Sequence, residues 1–373
     1  ATAAGQTLKL VHHMYRGVQL NERDMKRSFK DLVLEFLTPA VQSVAQRIDL
    51  IGMGCTYPFI ANVAGKIGTD MAYNTLVDAN TTLKNNKVTA MKSGVFSPAA
   101  MGALIKENKL TNAATSGDAS GMVTGYVNRG PGMNLFESQN VGSYTNTDVT
   151  TGAVDNSGGY PAGTTTLTVK SLNAAIAAGT YVIIAGDNVP HRVTGSVGGS
   201  TPTQITLDTA LKHAVVHEAV VTLIDPITVN HSAGYDPDYY GWIEVTAGTI
   251  KPKIGQGVRI GNEYYSVVDQ HNSYGICLNR PLVSSLAHTD KIFLMPGGTY
   301  SPIFIPQAIT IACRPLPIPA GLGNMEAGLA FANGYSVRLM KTFDRDYGIY
   351  KITVDTLIGA KCLNPNLGAI ALS

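Results

Sequence analysis

The chain opens in alternation. In TLKLVHHMYRGVQL, residues 7–20, Leu8, Leu10, His12 and Met14 share one face and Lys9, Val11, His13 and Tyr15 the other. A period of two predicts a β-strand, because successive strand side chains point to opposite faces. The period then changes. Asn21 with Asp24 three residues on resembles a helix N-cap answered by a reciprocal acid. Met25, Phe29, Leu32, Val33, Phe36 and Leu37 follow at spacings of three and four, which predicts an amphipathic helix. Thr38-Pro39 interrupts it, since proline cannot continue the hydrogen-bond ladder, and starts a new helix with Thr38 as cap. Val41, Val44 and Ile48 carry the apolar stripe on and are predicted core. Arg23, Lys26, Arg27, Lys30 and Arg47 lie among acids on the polar side, as a solvated face or a subunit contact face.

Further along, a second helix is predicted from Thr69-Asp70 to about Leu83. KVTAMKSGVFSPAAMGALIKENKL reads as a strand, a helix start at Ser97-Pro98 and a short helix. SGDASGMVTGYVNRGPGMNLFESQNV reads as a loop and short strands. From about residue 142 to about 300 the composition shifts to Gly, Thr, Ser and Asn with β-branched runs. A mixed segment then ends in a long strand pair at YSVRLMKTFDRDYGIYKITVDTL.

The Gly/Thr-rich region is duplicated. LDTALKHAVVHEAVVTLI, residues 207–224, aligns without gaps to LNRPLVSSLAHTDKIFLM, residues 278–295. Leu207 matches Leu278, Leu211 matches Leu282, His217 matches His288 and Leu223 matches Leu294. Upstream, YVIIAGDNVPHRV matches GVRIGNEYYSVV, each a strand, a turn and a returning strand. Farther up, LTV at 167–169 matches IEV at 243–245. Two small β-barrels or sandwiches of about five strands each are expected.

Composition narrows the function classes. Charged residues make up 14% of the chain, glycine counts 39, and the formal net charge is +2. The chain therefore lacks the bulk positive charge of a dedicated DNA binder and the low hydrophobicity of a disordered one. Cys55, Cys277, Cys313 and Cys362 are widely separated with no CxxC pair, so neither a zinc knuckle nor a disulfide framework is expected. No apolar run reaches the ~18 residues of a membrane span, and no signal-like segment opens the sequence.

Candidate chemistry is sparse. His213 and His217, four apart with Glu218 adjacent, are residue types that ligate zinc. The second copy keeps His288 but has Ser284 for His213 and Thr289 for Glu218, so one unit does without the set. Histidines at i,i+4 also converge only on a helix, whereas this stretch reads as a strand. His217 and His288 are read as polar caps on a barrel rim. Asp344 and Asp346 flank Arg345 and read as a charged hairpin turn rather than a catalytic pair. There is no GxSxG, no GxxxxGK[ST], and no glycine-rich loop in a strand-to-helix context. No catalytic, cofactor-binding or metal residue is assigned, and no cofactor is expected.

The order of motifs resembles the major capsid proteins of tailed bacteriophages with the Hong Kong 97-type fold. It is more narrowly similar to the short-tailed Salmonella phage coat branch, which carries a β-barrel insertion domain. FLTPAVQSVAQRIDLIG, LVDANTTLKNNKVTAMKSGVFSPAAMGALIKE, GYVNRGPGMNLFESQNV, PIFIPQAITIACRPLPIPAG and TVDTLIGAKCLNPNLGAIAL match segments of that branch in the right order. The resemblance implies an α+β fold. Residues 1–18 would form the extended-loop return strand and 19–86 the peripheral domain with its spine helix. Residues 87–141 would form the first part of the axial domain, 142–304 the duplicated barrel insertion, and 305–373 the rest of the axial domain with the peripheral strands. It further implies a non-enzymatic shell protein located in the virion and assembled in the host bacterial cytoplasm. Its subunits would form hexamers and pentamers around double-stranded DNA. Scaffolding and portal proteins, and a decoration protein, are the implied partners, with weak nonspecific DNA contact and no membrane. Near-neutral charge suits a wall facing packaged DNA.

Two other classes compete: a phage tail, hub or decoration protein built around the barrels, and a metal-dependent hydrolase using His213, His217 and Glu218. Lys9, in the expected extended loop, is a crosslink donor in principle, though loop lysines are ordinarily solvated. The return strand at residues 7–20 needs a partner, and with every later strand assigned elsewhere that partner is expected before residue 1.

Overall fold

The computed structural model describes residues 7–21, 38–111, 129–145, 149–246, 252–271, 275–318, 325–332 and 335–373. The chain divides into two compact units, Ala1–Gly52 with Ile309–Leu363, and Met53–Ala308 with Asn364–Ser373.

In the first unit only part of the alternating opening segment is a strand, His12–Asn21, with His12 and Leu20 buried on its sheltered face; residues 7–11, read as part of it, lie outside the strand. It pairs antiparallel along its whole length with Ile349–Cys362, from His12 opposite Ile358 to Asn21 opposite Ile349. The expectation that no later strand could partner it is corrected: the 14-residue strand Ile349–Cys362 is long enough to pair on one side with His12–Asn21 and on the other with two shorter strands. Those are Tyr335–Asp344 and Ile309–Arg314. Met325–Ala332 then pairs with Tyr335–Asp344 and ends the sheet. Gly348, at φ 61°, takes the left-handed conformation in the turn before Ile349.

Beneath the alternation lies one buried ion pair. Arg338 Nε is 2.9 Å from Asp355 Oδ1 and its Nη2 is 2.5 Å from Oδ2, a two-pronged contact between directly paired residues of adjacent strands. The helix Thr38–Gly54 buries Ala40, Val44, Ile48 and Ile51 at spacings of four, four and three. Val41, expected in the core, is 42% exposed. It lies ~100° around the helix from Ala40, at the margin of the buried stripe. The predicted helix from Met25 to Leu37, its Asp24 cap partner and the basic residues Arg23, Lys26, Arg27 and Lys30 lie outside the described residues.

The second unit contains a mixed sheet in the order Val63–Gly65, Gly368–Leu372, Gly298–Phe304, Lys92–Phe96, Met133–Glu137, Arg129–Gly130, with Gly142–Tyr144 also on Gly298–Phe304. Helices Tyr73–Asn85 and Pro98–Ile105 cover it, burying Leu76, Leu83, Met101 and Leu104 against Phe96, Leu135 and Ile303. The helix start at Ser97-Pro98 is as predicted: Ser97 Oγ accepts from the Ala100 N–H at 3.2 Å. The preceding helix begins at Tyr73 rather than Thr69. Thr69 Oγ1 donates instead to the Lys66 carbonyl in a turn, and Ala72 is extended.

The rest of this unit is the duplicated region. Six strands close a barrel in the order His191–Val197, Gln204–Leu207, Thr166–Lys170, Val149–Val154, Val220–Ile224, Tyr181–Ile184. The second copy follows the same cyclic order: Glu263–His271, Gly275–Leu278, Ile243–Glu244, Ile227–Thr228, Lys291–Leu294, Gly257–Ile260. Between its strands Ile227–Thr228 and Ile243–Glu244 the pairing seen among the described residues is the bridge Val229↔Val245. Each copy thus has six strands rather than five.

Candidate functional site

The two copies correspond in structure as they do in sequence. Val221 and Ile292, Leu211 and Leu282, and Val215 and Leu286 are all buried at equivalent places. The same bulge interrupts both long hairpins, between Val193 and Gly195 and between Val267 and Asp269. Glu218 and Thr289 share a left-handed backbone at φ 62° and 70°.

A segment missed in the sequence also repeats. Asn156-Ser157-Gly158-Gly159-Tyr160 corresponds to His231-Ser232-Ala233-Gly234-Tyr235. Tyr160 exchanges main-chain hydrogen bonds with Val215, and Tyr235 does so with Leu286. Each tyrosine hydroxyl accepts a main-chain N–H, from Thr168 at 2.8 Å and from Glu244 at 2.7 Å. Gly159 and Gly234 are both left-handed, and a Cβ on Gly234 would come within 2.7 Å of the Leu286 carbonyl. The shared S-x-G-Y was the available signal.

These constraints settle the geometry around His213 and His217. Residues 208–219 form a loop between Gln204–Leu207 and Val220–Ile224, not the strand the sequence suggested. Its left-handed Glu218 and its single bridge at Val215 turn the chain away from ladder pairing. His213 turns toward Asp187: its main-chain N–H donates to Asp187 Oδ1 at 2.6 Å, and its Nδ1 is 3.1 Å from the same oxygen. His217 instead lies beside Glu218, at 3.3 Å, and Glu218 pairs with Lys170. The two histidines do not share a ligand set, and among the described residues no three His, Cys, Asp or Glu side chains are arranged so that they could hold a metal ion. His217 and His288 are both exposed.

The cluster that forms is Asp187, His191, His213 and Thr209. His191 Nε2 is 2.5 Å from Asp187 Oδ2, and His191 Nδ1 is 2.8 Å from Thr209 Oγ1. Burial alone would raise the Asp187 pKa. The hydrogen bond and charge of His191, with the two bonds from His213, outweigh that and hold the carboxyl below its usual value. At the equivalent position of the second barrel stands Tyr265, also buried, whose hydroxyl accepts the Val283 N–H at 3.0 Å. Both arrangements do one job. They fill the barrel interior and satisfy a main-chain donor of the crossing loop.

Asp344 and Asp346 sit at the hairpin turn as read. Asp344 is 2.7 Å from Lys351 Nζ, and that hydrogen bond holds its carboxyl below the ordinary value. All four cysteines are free thiols, with Cys55 buried. Among the described residues no helix is long and apolar enough to cross a membrane.

No family model and no curated protein matches the sequence. Among solved structures the chain is similar over its full length to one from Mycobacterium phage Che8, at TM-score 0.42 and 11% identity, covering 76% of that chain. It is similar to a capsid structure of the cyanophage P-SCSP1u at TM-score 0.42 and 8% identity, with 100% of this chain and 77% of that one covered. It is similar to the asymmetric unit of the mature capsid of bacteriophage PhiM1 at TM-score 0.39 and 9% identity, with the same coverage of 100% and 77%.

Proposed function

We propose that this chain is a structural shell subunit, the major capsid protein of a tailed phage, which associates laterally into hexamers and pentamers around double-stranded DNA. One observation carries the reading. The strand Met325–Ala332 ends its sheet and, among the described residues, pairs on one side only. It exposes Phe331 at 69% and Leu329 at 44%. An unpaired apolar edge is a hazard for a solitary protein and an asset for one that pairs with copies of itself. The ordered motif resemblance supports the same reading, as does a surface with few charges.

On this reading residues 142–304 are an insertion domain, the sheet of the first unit is the peripheral region, and the mixed sheet of the second is axial. Scaffolding, portal and decoration proteins are the partners it calls for. The test is negative-stain microscopy and sedimentation of the purified full chain. Closed shells or capsomer rings are the expected result. Open tubes point to a tail protein, and a monomer at assembly concentrations overturns the proposal.

A further inference from the structure

The duplication supplies an internal control. Both barrels use the same loop frame after the repeated tyrosine, yet its contents differ. The first copy runs Pro-Ala-Gly-Thr-Thr-Thr, residues 161–166, and the second Asp-Pro-Asp-Tyr-Tyr-Gly-Trp, residues 236–242. The Gly163 N–H bonds the Leu211 carbonyl, as the Asp238 N–H bonds that of Leu282. Tyr239 therefore stands where the first copy has Thr164, Tyr240 is an insertion, and Trp242 replaces Thr166. The barrel fold does not require these aromatic side chains, because the first copy closes without them.

The second copy also accommodates them. The Tyr239 hydroxyl donates to the Trp242 carbonyl at 3.0 Å, and the Tyr239 ring packs on Tyr235 with centroids 4.6 Å apart. The Trp242 indole lies edge-on to His271 at 5.7 Å. Gly275 stands where the first copy has Gln204, and a Cβ there would already touch the indole at 3.4 Å. Two rings of the loop remain open to solvent, the inserted Tyr240 at 60% and Trp242 at 42%.

We infer that this loop is a carbohydrate-binding platform for a neutral or amine-bearing hexopyranose chain. Rigid aromatic faces offer stacking area to the C–H faces of a pyranose at little entropic cost, and neighbouring polar groups fix its orientation. The exposed Asp236, Asp238 and Glu244 supply acceptors for sugar hydroxyls. No lysine or arginine occurs from residue 213 to 250, which disfavours sialylated or sulfated glycans and nucleic acid. The inference rests on the duplication and is independent of the shell reading.

Trp242 is the single tryptophan of the chain, so its fluorescence reports on this site alone. The full chain is titrated with cellohexaose, chitohexaose and mannohexaose. A saturable change in emission with at least one, at a Kd between about 10 μM and 1 mM, is expected. By calorimetry, Tyr240→Ala and Gly275→Gln should each weaken that binding about tenfold or more, with the melting temperature of Tyr240→Ala unchanged. No saturable response to any of the three up to about 10 mM overturns the inference. So does a response to choline chloride alone, binding unaffected by Tyr240→Ala, or a loss of self-association in Tyr240→Ala without any sugar response.

Discussion

Asp187 and His191 form a buried pair inside the first barrel, Oδ2 to Nε2 at 2.5 Å, and Tyr265 alone takes the place of that histidine in the second. A two-residue polar plug and a one-residue plug thus fill the same position in two copies of one fold. The carboxylate of the first answers a histidine, a loop N–H and a second histidine ring together.

Removing that carboxylate should cost more than any exposed ion pair. Asp187→Ala leaves His191 and the His213 N–H without their acceptor, and a loss of about 3–5 kcal/mol is expected. Urea melts of the two proteins at neutral pH measure it.

The pH dependence has a definite sign. The folded pKa of Asp187 is depressed, so its stabilisation is fully present above the unfolded carboxylate value, ~3.9, and is lost as pH falls through the folded value. Melts between about pH 2 and 7 should fall more steeply at the acid end for the native chain than for Asp187→Asn. Parallel curves would show that other carboxylates govern acid unfolding.

His213→Ser copies the second repeat at position 284. The main-chain N–H to Asp187 survives, and only a ring that is 41% exposed is lost, so stability should change by less than about 1 kcal/mol. Elemental analysis accompanies the melt. Stoichiometric zinc in the native chain that disappears in the variant would reinstate the metal-site reading.

Two neighbours on one helix should behave oppositely. Val44→Asp buries a carboxylate with no partner, at a cost of several kcal/mol against a domain stability of ~5–15 kcal/mol, and should prevent soluble folding. Val41→Asp, on the exposed side, should fold and melt within about 0.5 kcal/mol of the parent. Soluble yield and circular dichroism separate them.

At the sheet edge, Leu329→Lys with Phe331→Lys should leave the melting temperature unchanged while abolishing assembly, because charge on an edge strand opposes further pairing. Sedimentation velocity reads the outcome. Normal particles from the double variant would remove this strand from the proposed contact.

Much of the local structure was legible in the chain. The alternating opening reports a strand, though one that begins at His12 and not at Leu8, Ser97-Pro98 reports a helix start, and the matched segments after Leu207 and Leu278 report two copies of one fold, because each depends on residues within a few positions of one another. Tertiary structure decided the partners. Ile349–Cys362, more than 300 residues along, pairs with His12–Asn21, and no periodicity in either segment names the other. Residues 208–219 looked like a strand because the pattern around them is strand-like, but they form a loop held at Val215. Asp187 and His191 lie four apart in a hairpin turn, an unremarkable spacing until barrel closure brings the loop at His213 onto the same carboxylate. Periodicity records which face of a segment avoids water. Which groups meet across that face is fixed only when the chain closes and every buried donor must find an acceptor.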